Sequence, residues 1–594
     1  MQLKRIRLRF RRQFRKSQKR VEGFSAHAEE QIEKHVFKRF GRLNDVRRFV
    51  ISWVSLIVLL IAGVVAQNIT LSNYFQTVQP VPGGVYNEGV LGTFTNANPM
   101  YATNNVDSTV SKLIFSGLLK HDTTNKLVGD LATDYSVDTN GVTYTFKLKP
   151  NLTWQDGQPL TSADVLYTYQ MIQNPDAQSP LLSSWQGITV TAPDPLTVVF
   201  KLPGPLAAFP YNVTNGIVPQ HLLGKIIPSD LRSAEFNTAN PVGAGPFAWQ
   251  AIEVKGDDPK TAQQQIALVP FKKYSLGQPK LSEFIVHAYA DSSQLVNAFT
   301  DGQLTAIEGL NNVPKEVRKQ SSAQVHDILL NAANMVFFKT TSGVLVDKQV
   351  RRALVQAADV SEIVKQIDYP THLVREPFLN GQLGYDPSLA QAGFDLDAAK
   401  KSLDAAGWQV GKDGIRSKAN QRLAFTLTSA DTPEYQIVTK ALQKQWRALG
   451  ADVRIDLQKS SDFQSTLAYH SYDAVLYGIS IGSDPDVFVY WDSSQADIRS
   501  ANRFNLSEYK NNVADIALES GRTRRDPAIR TIKYRPFLQA WQQDAPALAL
   551  YQPRLLYVTN GMVAGLSDHN IDTPTGRFNN VQNWQIRQAK VTNE

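Results

Sequence analysis

The run LATDYSVDTNGVTYTFKLKPNLTWQDGQPLTSADVLYTYQMI, Leu131–Ile172, decides the fold. In its first half Tyr144, Phe146 and Leu148 alternate with polar residues, and Asn140-Gly141 precedes them. Strand side chains alternate faces, and an Asn-Gly pair tolerates the positive φ of a tight turn, so this half reads as a hairpin. The second half changes period. Thr161 is placed as a helix N-cap and Asp164, three residues on, can reach back to it as a capping box. A second hairpin is expected in ITVTAPDPLTVVFKLP, turning at Pro193-Asp194-Pro195. This part of the chain is therefore antiparallel β with a helix.

The later sequence has another rhythm. LAFTLTS (Leu423–Ser429) reads as a strand. Asp431 or Thr432 then caps a helix with Pro433 in its first turn, which runs to about Leu449 and is ended by Gly450. ADVRIDL is the next strand, Phe463 to Ala468 a short helix, and YDAVLYGIS a third strand. Strand, helix, strand, helix, strand is the grammar of a parallel α/β sheet. Further helices are expected from Asp347 in VDKQVRRALVQAAD and in FDLDAAKKSLDAAGW.

At 594 residues the chain exceeds what one core can serve, and two to four domains are expected. Its net charge of +8 is unevenly spread. Residues 1–48 hold 16 Lys+Arg against 5 Asp+Glu, whereas the remainder holds 46 against 49 and gives no support to nucleic-acid binding. Phe49 to Ala66 is an uncharged run of 18 residues, apolar all round. As a helix it would span roughly 27 Å, enough for a hydrocarbon core. A signal peptide is the rival reading, but its charged region is normally a few residues long, and 48 precede this run. An uncleaved anchor with a cytoplasmic basic flank is expected, which places residues beyond about 70 outside. The flank is either a plain positive-inside segment or a surface-lying one, since Leu3, Ile6, Leu8 and Phe10 are interleaved with Arg and Lys. Cysteine is absent, which removes disulfides, thiolate metal sites, cysteine nucleophiles and the thiol of a lipoprotein anchor.

Leu131–Ile172 resembles the signature region of the family 5 extracytoplasmic solute-binding proteins, the peptide- and nickel-binding receptors of ABC importers. Further similarities follow in family order: VSKLIFSGLL (Val110–Leu119), AFTDGQLTAIEGL, VDKQVRRALVQAADVSEIV, FDLDAAKKSLDAAGW and DAPALALYQP. They cover roughly residues 80 to 590. Ser116 stands where the family usually has Glu.

The resemblance implies an α/β fold of the periplasmic-binding-protein type II: two lobes with a two-strand hinge and an inserted third domain, here preceded by one transmembrane helix. The expected layout is a basic arm 1–48, the membrane helix 49–67, a linker 68–79, lobe I at 80–119, inserted domain II at 120–222, lobe I again at 223–337, lobe III at 338–548, and the return to lobe I at 549–594. It also implies a binding protein, not an enzyme, with no cofactor. The implied partners are a peptide or other small solute, ABC permease subunits and the lipid bilayer.

The resemblance also implies that Tyr477, Gly478, Ile479, Ser480, Ile481 and Asp484 line the cleft from one lobe, faced by Asn104, Asn105 and Asp107 from the other. Peptide binders of the family often carry Trp at the position of Gly478 and an amine-pairing Asp at that of Ile481. This chain has neither, so either Asp484 or Asp107 takes over the pairing or the ligand is not a free-amine peptide. Trp185 and Trp491 are candidate pocket aromatics, with a core or interlobe position as the alternative for each. Asp484-Pro485-Asp486 also reads as helix punctuation.

Within YGISIGSDPDVFVYW (Tyr477–Trp491), Gly478 to Gly482 fits the G-x-S-x-G pattern of a nucleophile elbow. A secreted serine hydrolase would need Ser480 with His569, the one histidine after it, and an acid such as Asp544. The expected loop after the strand, where an elbow demands an immediate helix, favours a binding wall instead. None of the nine histidines pairs at i,i+3 or i,i+4, and no local metal motif occurs. A non-peptide solute such as a sugar or metal chelate is the other alternative.

Overall fold

The local rules act where the sequence placed them. A computed structural model describes residues 47–256, 262–367, 369–497, 499–500 and 503–592. Strands Ala132–Val137 and Thr143–Leu148 pair antiparallel around Gly141, whose φ of 73° supplies the turn. Helix Ser162–Gln173 starts on the expected capping box: Ala163 N–H donates to Thr161 Oγ1 (3.3 Å) and Thr161 N–H to Asp164 Oδ2 (2.9 Å). The second hairpin, Thr189–Asp194 with Thr197–Lys201, turns one residue later than expected, at Pro195-Leu196, because Asp194 is already paired with Thr197.

The chain forms two units, residues 1–79 with 588–594 and residues 80–587. The first contains helix Arg47–Phe75, within which Phe49–Asn68 is long and apolar enough to cross a membrane and is unburied. This helix continues into the expected linker as far as Phe75. The arm, including Leu3, Ile6, Leu8 and Phe10, lies outside the described residues up to 46.

The second unit carries three main sheets. A seven-stranded mixed sheet runs, in spatial order, Ala323–Leu329, Arg554–Asn560, Ala306–Glu308, Val85–Leu91, Glu283–Tyr289, Gln263–Pro270 and Phe247–Lys255. A four-stranded antiparallel sheet holds the two hairpins above. A five-stranded sheet runs Asp452–Gln458, Ala424–Ala430, Ala474–Ser480, Ala332–Phe338 and Ala547–Tyr551. Its first three strands are parallel, as the strand–helix rhythm predicts; Ala332–Phe338 runs antiparallel to them, and Ala547–Tyr551, antiparallel to that strand, runs with the first three. Thr432 is the cap of helix Pro433–Leu449, and Gly450 ends it at φ 101°.

Two short segments join the seven- and five-stranded sheets: Leu330-Asn331 outward and Gln552-Pro553 on return. They lie side by side, with Leu330 N–H donating to Pro553 O (2.9 Å) and Gln552 Nε2 to Leu330 O (3.2 Å). Strand Ala332–Phe338 thus belongs to the five-stranded sheet, not to the first lobe where a boundary at 337/338 puts it. All seven of its residues are buried, so it shows no alternation to read.

Thr161→Ala should cost about 1 kcal/mol by releasing a first-turn donor of helix Ser162–Gln173. Amide exchange should quicken across the start of that helix, and Thr161→Ser should restore it.

Candidate functional site

Helix Asn105–Ile114 carries one wall of the site. Its start is locked by Asn104, whose Oδ1 accepts from Asp107 N–H (2.8 Å) and whose Nδ2 donates to Asp107 Oδ2 (2.7 Å). Asp107 also accepts from Thr95 N–H (2.7 Å), Thr95 Oγ1 (2.6 Å) and Asn96 N–H (3.0 Å). The helix end is fixed by backbone: Gly245 N–H donates to Ile114 O at 2.7 Å. A Cβ on Gly243 would lie 2.0 Å from that same carbonyl, so only glycine lets the loop approach.

Beyond this helix lies a cavity of ≈ 530 Å³. Ser108, Ser111 and Lys112 line it from the helix, Trp185 and Tyr211 from the inserted part, and Ser480 and Gly482 from the end of strand Ala474–Ser480. Asp572 and Thr573 line it from the returning chain. Elements from all three sheet regions thus meet around one volume.

The expected site residues distribute as follows. Ser480 and Trp185 line the cavity; Trp185 is buried and packs on Tyr169 with ring centroids 4.0 Å apart. Asn104 and Asp107 hold the helix start, and Asn105 donates to Glu308 (3.4 Å); their neighbours one turn on, Ser108 and Ser111, are the ones at the cavity. Ile479 and Ile481 are buried in the core of the five-stranded lobe. The half-buried Tyr477 ring sits 6.0 Å from Phe463. At Gly478 a Cβ would come within 2.7 Å of Asn334 Oδ1, which is held by Tyr435 Oη at 2.9 Å. No larger residue fits there without displacing Asn334.

Asp484-Pro485 does not open a helix, since the next one spans Phe488–Trp491 with Val487 as its cap; of the two acids, Asp486 alone touches its start, accepting from Phe488 N–H at 3.4 Å. Asp484 forms a bidentate pair with Arg530 (2.6 and 2.7 Å), and Asp486 pairs with Arg522 (3.0 Å). Burial pushes the Asp486 carboxyl up, against the opposing pull of Arg522. Asp484 and Asp107 are thus both committed to internal partners, so neither offers a free carboxylate to a ligand amine. Trp491 lies in the lobe core, beside Phe337 and Trp541.

No elbow chemistry is assembled at Ser480. Its carbonyl accepts from Tyr490 Oη (2.8 Å), while His569 Nδ1 bonds Ser567 Oγ (3.0 Å) and Asp544 accepts from Tyr509 and Asn511. The residues that do meet at the cavity edge escaped sequence reading. Asp572 Oδ1 accepts from Asn125 Nδ2 (2.7 Å), Asn331 Nδ2 (2.7 Å) and Ser483 Oγ (2.8 Å), and Oδ2 accepts from Ser483 N–H (3.1 Å). His121 Nε2 approaches Oδ2 to 3.3 Å. Burial lowers the His121 pKa, so the imidazole is favoured neutral.

Two sheet lobes joined by paired crossings, an inserted β domain and a polar cavity among them define a two-lobed solute-binding protein. The family model of bacterial extracellular solute-binding proteins, family 5 (middle part), matches residues 126–500, and the chain belongs to that family. It is a binding protein and not an enzyme. The chain is similar to the oligopeptide-binding protein AppA of Bacillus subtilis, 25% identical over 522 residues, covering 86% of this chain and 92% of that protein. AppA's structure, solved with a nonapeptide, matches with a TM-score of 0.68 over 86% of this chain and all of AppA's, at 23% identity. NikZ of Campylobacter jejuni, solved with Ni(L-His), gives a TM-score of 0.71 at 23% identity, covering 84% of this chain and 99% of that one. CtaP of Listeria monocytogenes gives 0.73 at 21% identity, covering 85% and 99%.

Asp572→Ala should leave Asn125, Asn331 and Ser483 without their shared acceptor and cost about 1–3 kcal/mol. Hydrogen exchange should rise together in the segments around Asn125 and Ser483. Unchanged exchange in both would show that Asp572 does not join them.

Proposed function

We propose that the chain is a membrane-anchored receptor that captures an oligopeptide-like solute by lobe closure and passes it to an ABC permease. The observation that carries this reading is the ≈ 530 Å³ cavity walled by all three parts of the fold, in a member of a solute-binding family. Serine, threonine and asparagine side chains line much of it, alongside Trp185, Tyr211 and Phe115. Such walls offer hydrogen bonds to a peptide backbone and flat apolar surface to its side chains. The likeness to the peptide-binding AppA supports a peptide-like ligand.

Anchoring is supported by the apolar helix segment Phe49–Asn68 and the strongly basic sequence before it. The helix stays in the membrane, the arm in the cytoplasm, and the binding unit outside. The lobes close on the solute about the paired crossings at 330–331 and 552–553.

Native mass spectrometry of the full chain in detergent tests the ligand. The expected result is a heterogeneous extra mass, lost on denaturation, that sequences as peptides. A single non-peptide mass would overturn the peptide part of the reading. Protease added to intact cells should degrade the chain beyond about residue 70 and spare the arm; full protection would overturn the orientation.

A further inference from the structure

The cavity contains a cation without a partner among the described residues. Lys112 lies in the last turn of helix Asn105–Ile114, is half-buried and lines the cavity. Among the described residues its Nζ has no hydrogen bond and no ion pair; Asp130 acts on it only through its field. Asp130 itself accepts from Ser275 Oγ (2.9 Å). Other buried cations of the same unit are answered: Lys120 Nζ donates to Tyr274 Oη (3.2 Å), Arg530 is paired with Asp484 and Arg577 with Glu88. A partly desolvated ammonium with nothing to pair with is costly, and burial lowers the Lys112 pKa accordingly.

The acid on the same cavity wall does not answer it. Among the described lining residues Asp572 is the sole carboxylate, and donors from Asn125, Asn331 and Ser483 occupy its oxygens. Asp484 and Asp107 are bonded elsewhere, and Ile481 is buried apolar surface. A ligand ammonium entering here meets no uncommitted acid. A ligand carboxylate meets an uncommitted ammonium, with the Ser108 and Ser111 hydroxyls on the same helix at the same cavity. Pairing would return to Lys112 the stabilisation that desolvation removes.

We propose that Lys112 determines specificity by pairing with a carboxylate of the bound solute, so that the receptor requires an acidic group and tolerates a blocked amine. This rests on the cavity being the solute site, as proposed above. A peptide terminus, an acidic peptide side chain or a non-peptide organic acid would supply the same group.

The test uses the full chain in detergent, as wild type, Lys112→Met and Lys112→Arg. Each is incubated with a casein digest in three forms: untreated, amine-acetylated and carboxyl-methylated. Retained species are then read by native mass spectrometry. The wild type should hold the untreated and acetylated digests alike and the methylated one at least about tenfold less. Lys112→Met should lose a similar factor on the untreated digest, and Lys112→Arg should keep most of the binding. Equal retention of methylated and untreated digests overturns the inference and leaves the receptor reading standing. That comparison needs only the wild type, so it decides even where Lys112→Met fails to fold. A small-molecule cell extract forms the second arm. A non-peptide acid held by the wild type and lost by Lys112→Met supports the role of Lys112 and overturns the peptide reading. A wild type that retains nothing from either source overturns both.

Discussion

The carboxylate of Asp572 is the constraint on which the arrangement of the cleft rests. It takes hydrogen bonds from Asn125 in the loop between two short strands, from Asn331 in the outward crossing and from Ser483 just past strand Ala474–Ser480. These segments belong to different parts of the fold and are far apart in sequence. A single half-buried acceptor that serves several of them holds each in register with the others, because a lost donor would leave polar groups unpaired in a poorly solvated place. Ser480 and Gly482 reach the cavity partly through this junction, and Gln382 Nε2 steadies the same loop by donating to Gly482 O at 2.6 Å.

Internal pairing also explains the polarity of the cleft. Where a family member with an acid at position 481 could meet a ligand amine directly, this chain has Ile481 packed in the lobe core. Its nearby acids are spent on structure: Asp484 and Asp486 tie the loop after the strand to Arg530 of helix Pro527–Asp544 and Arg522 of helix Asn512–Arg522. Asp107 ties the helix start to the loop at Thr95. What remains unspent is the ammonium of Lys112. The departure at 481 and the unpaired Lys112 point the same way, toward a solute recognised by its acid.

Elements whose signal is local were legible in the sequence. The Asn140-Gly141 hairpin, the Thr161/Asp164 box and the Thr432–Gly450 helix all follow from neighbours within a few residues, and all stand where expected. Strand Ala332–Phe338 was not, since a uniformly buried strand carries no period-2 pattern. The site was legible only in part. Helix Asn105–Ile114 and the loop after Ile479 do reach one cavity, but the residues at its surface are Ser108, Ser111 and Lys112, one turn beyond those expected. Nothing in the LSDHNIDTP run marks Asp572 as a hub, because its partner Asn125 lies 447 residues away. The same holds for Asp484, whose role depends on an arginine 46 residues distant.

Reversible capture of a solute between moving lobes, as proposed above, changes the distance between them. The chain has no cysteine, so two can be introduced and labelled cleanly. Exposed positions that do not line the cavity serve: Lys201 in the inserted domain and Lys459 at the start of helix Ser460–Tyr469. Fluorescence energy transfer between these sites in the detergent-solubilised full chain follows the distance directly. A rise in transfer on adding a peptide digest, reversed when the digest is washed away, is the predicted result. Transfer that stays fixed while solute is demonstrably bound would contradict capture by closure.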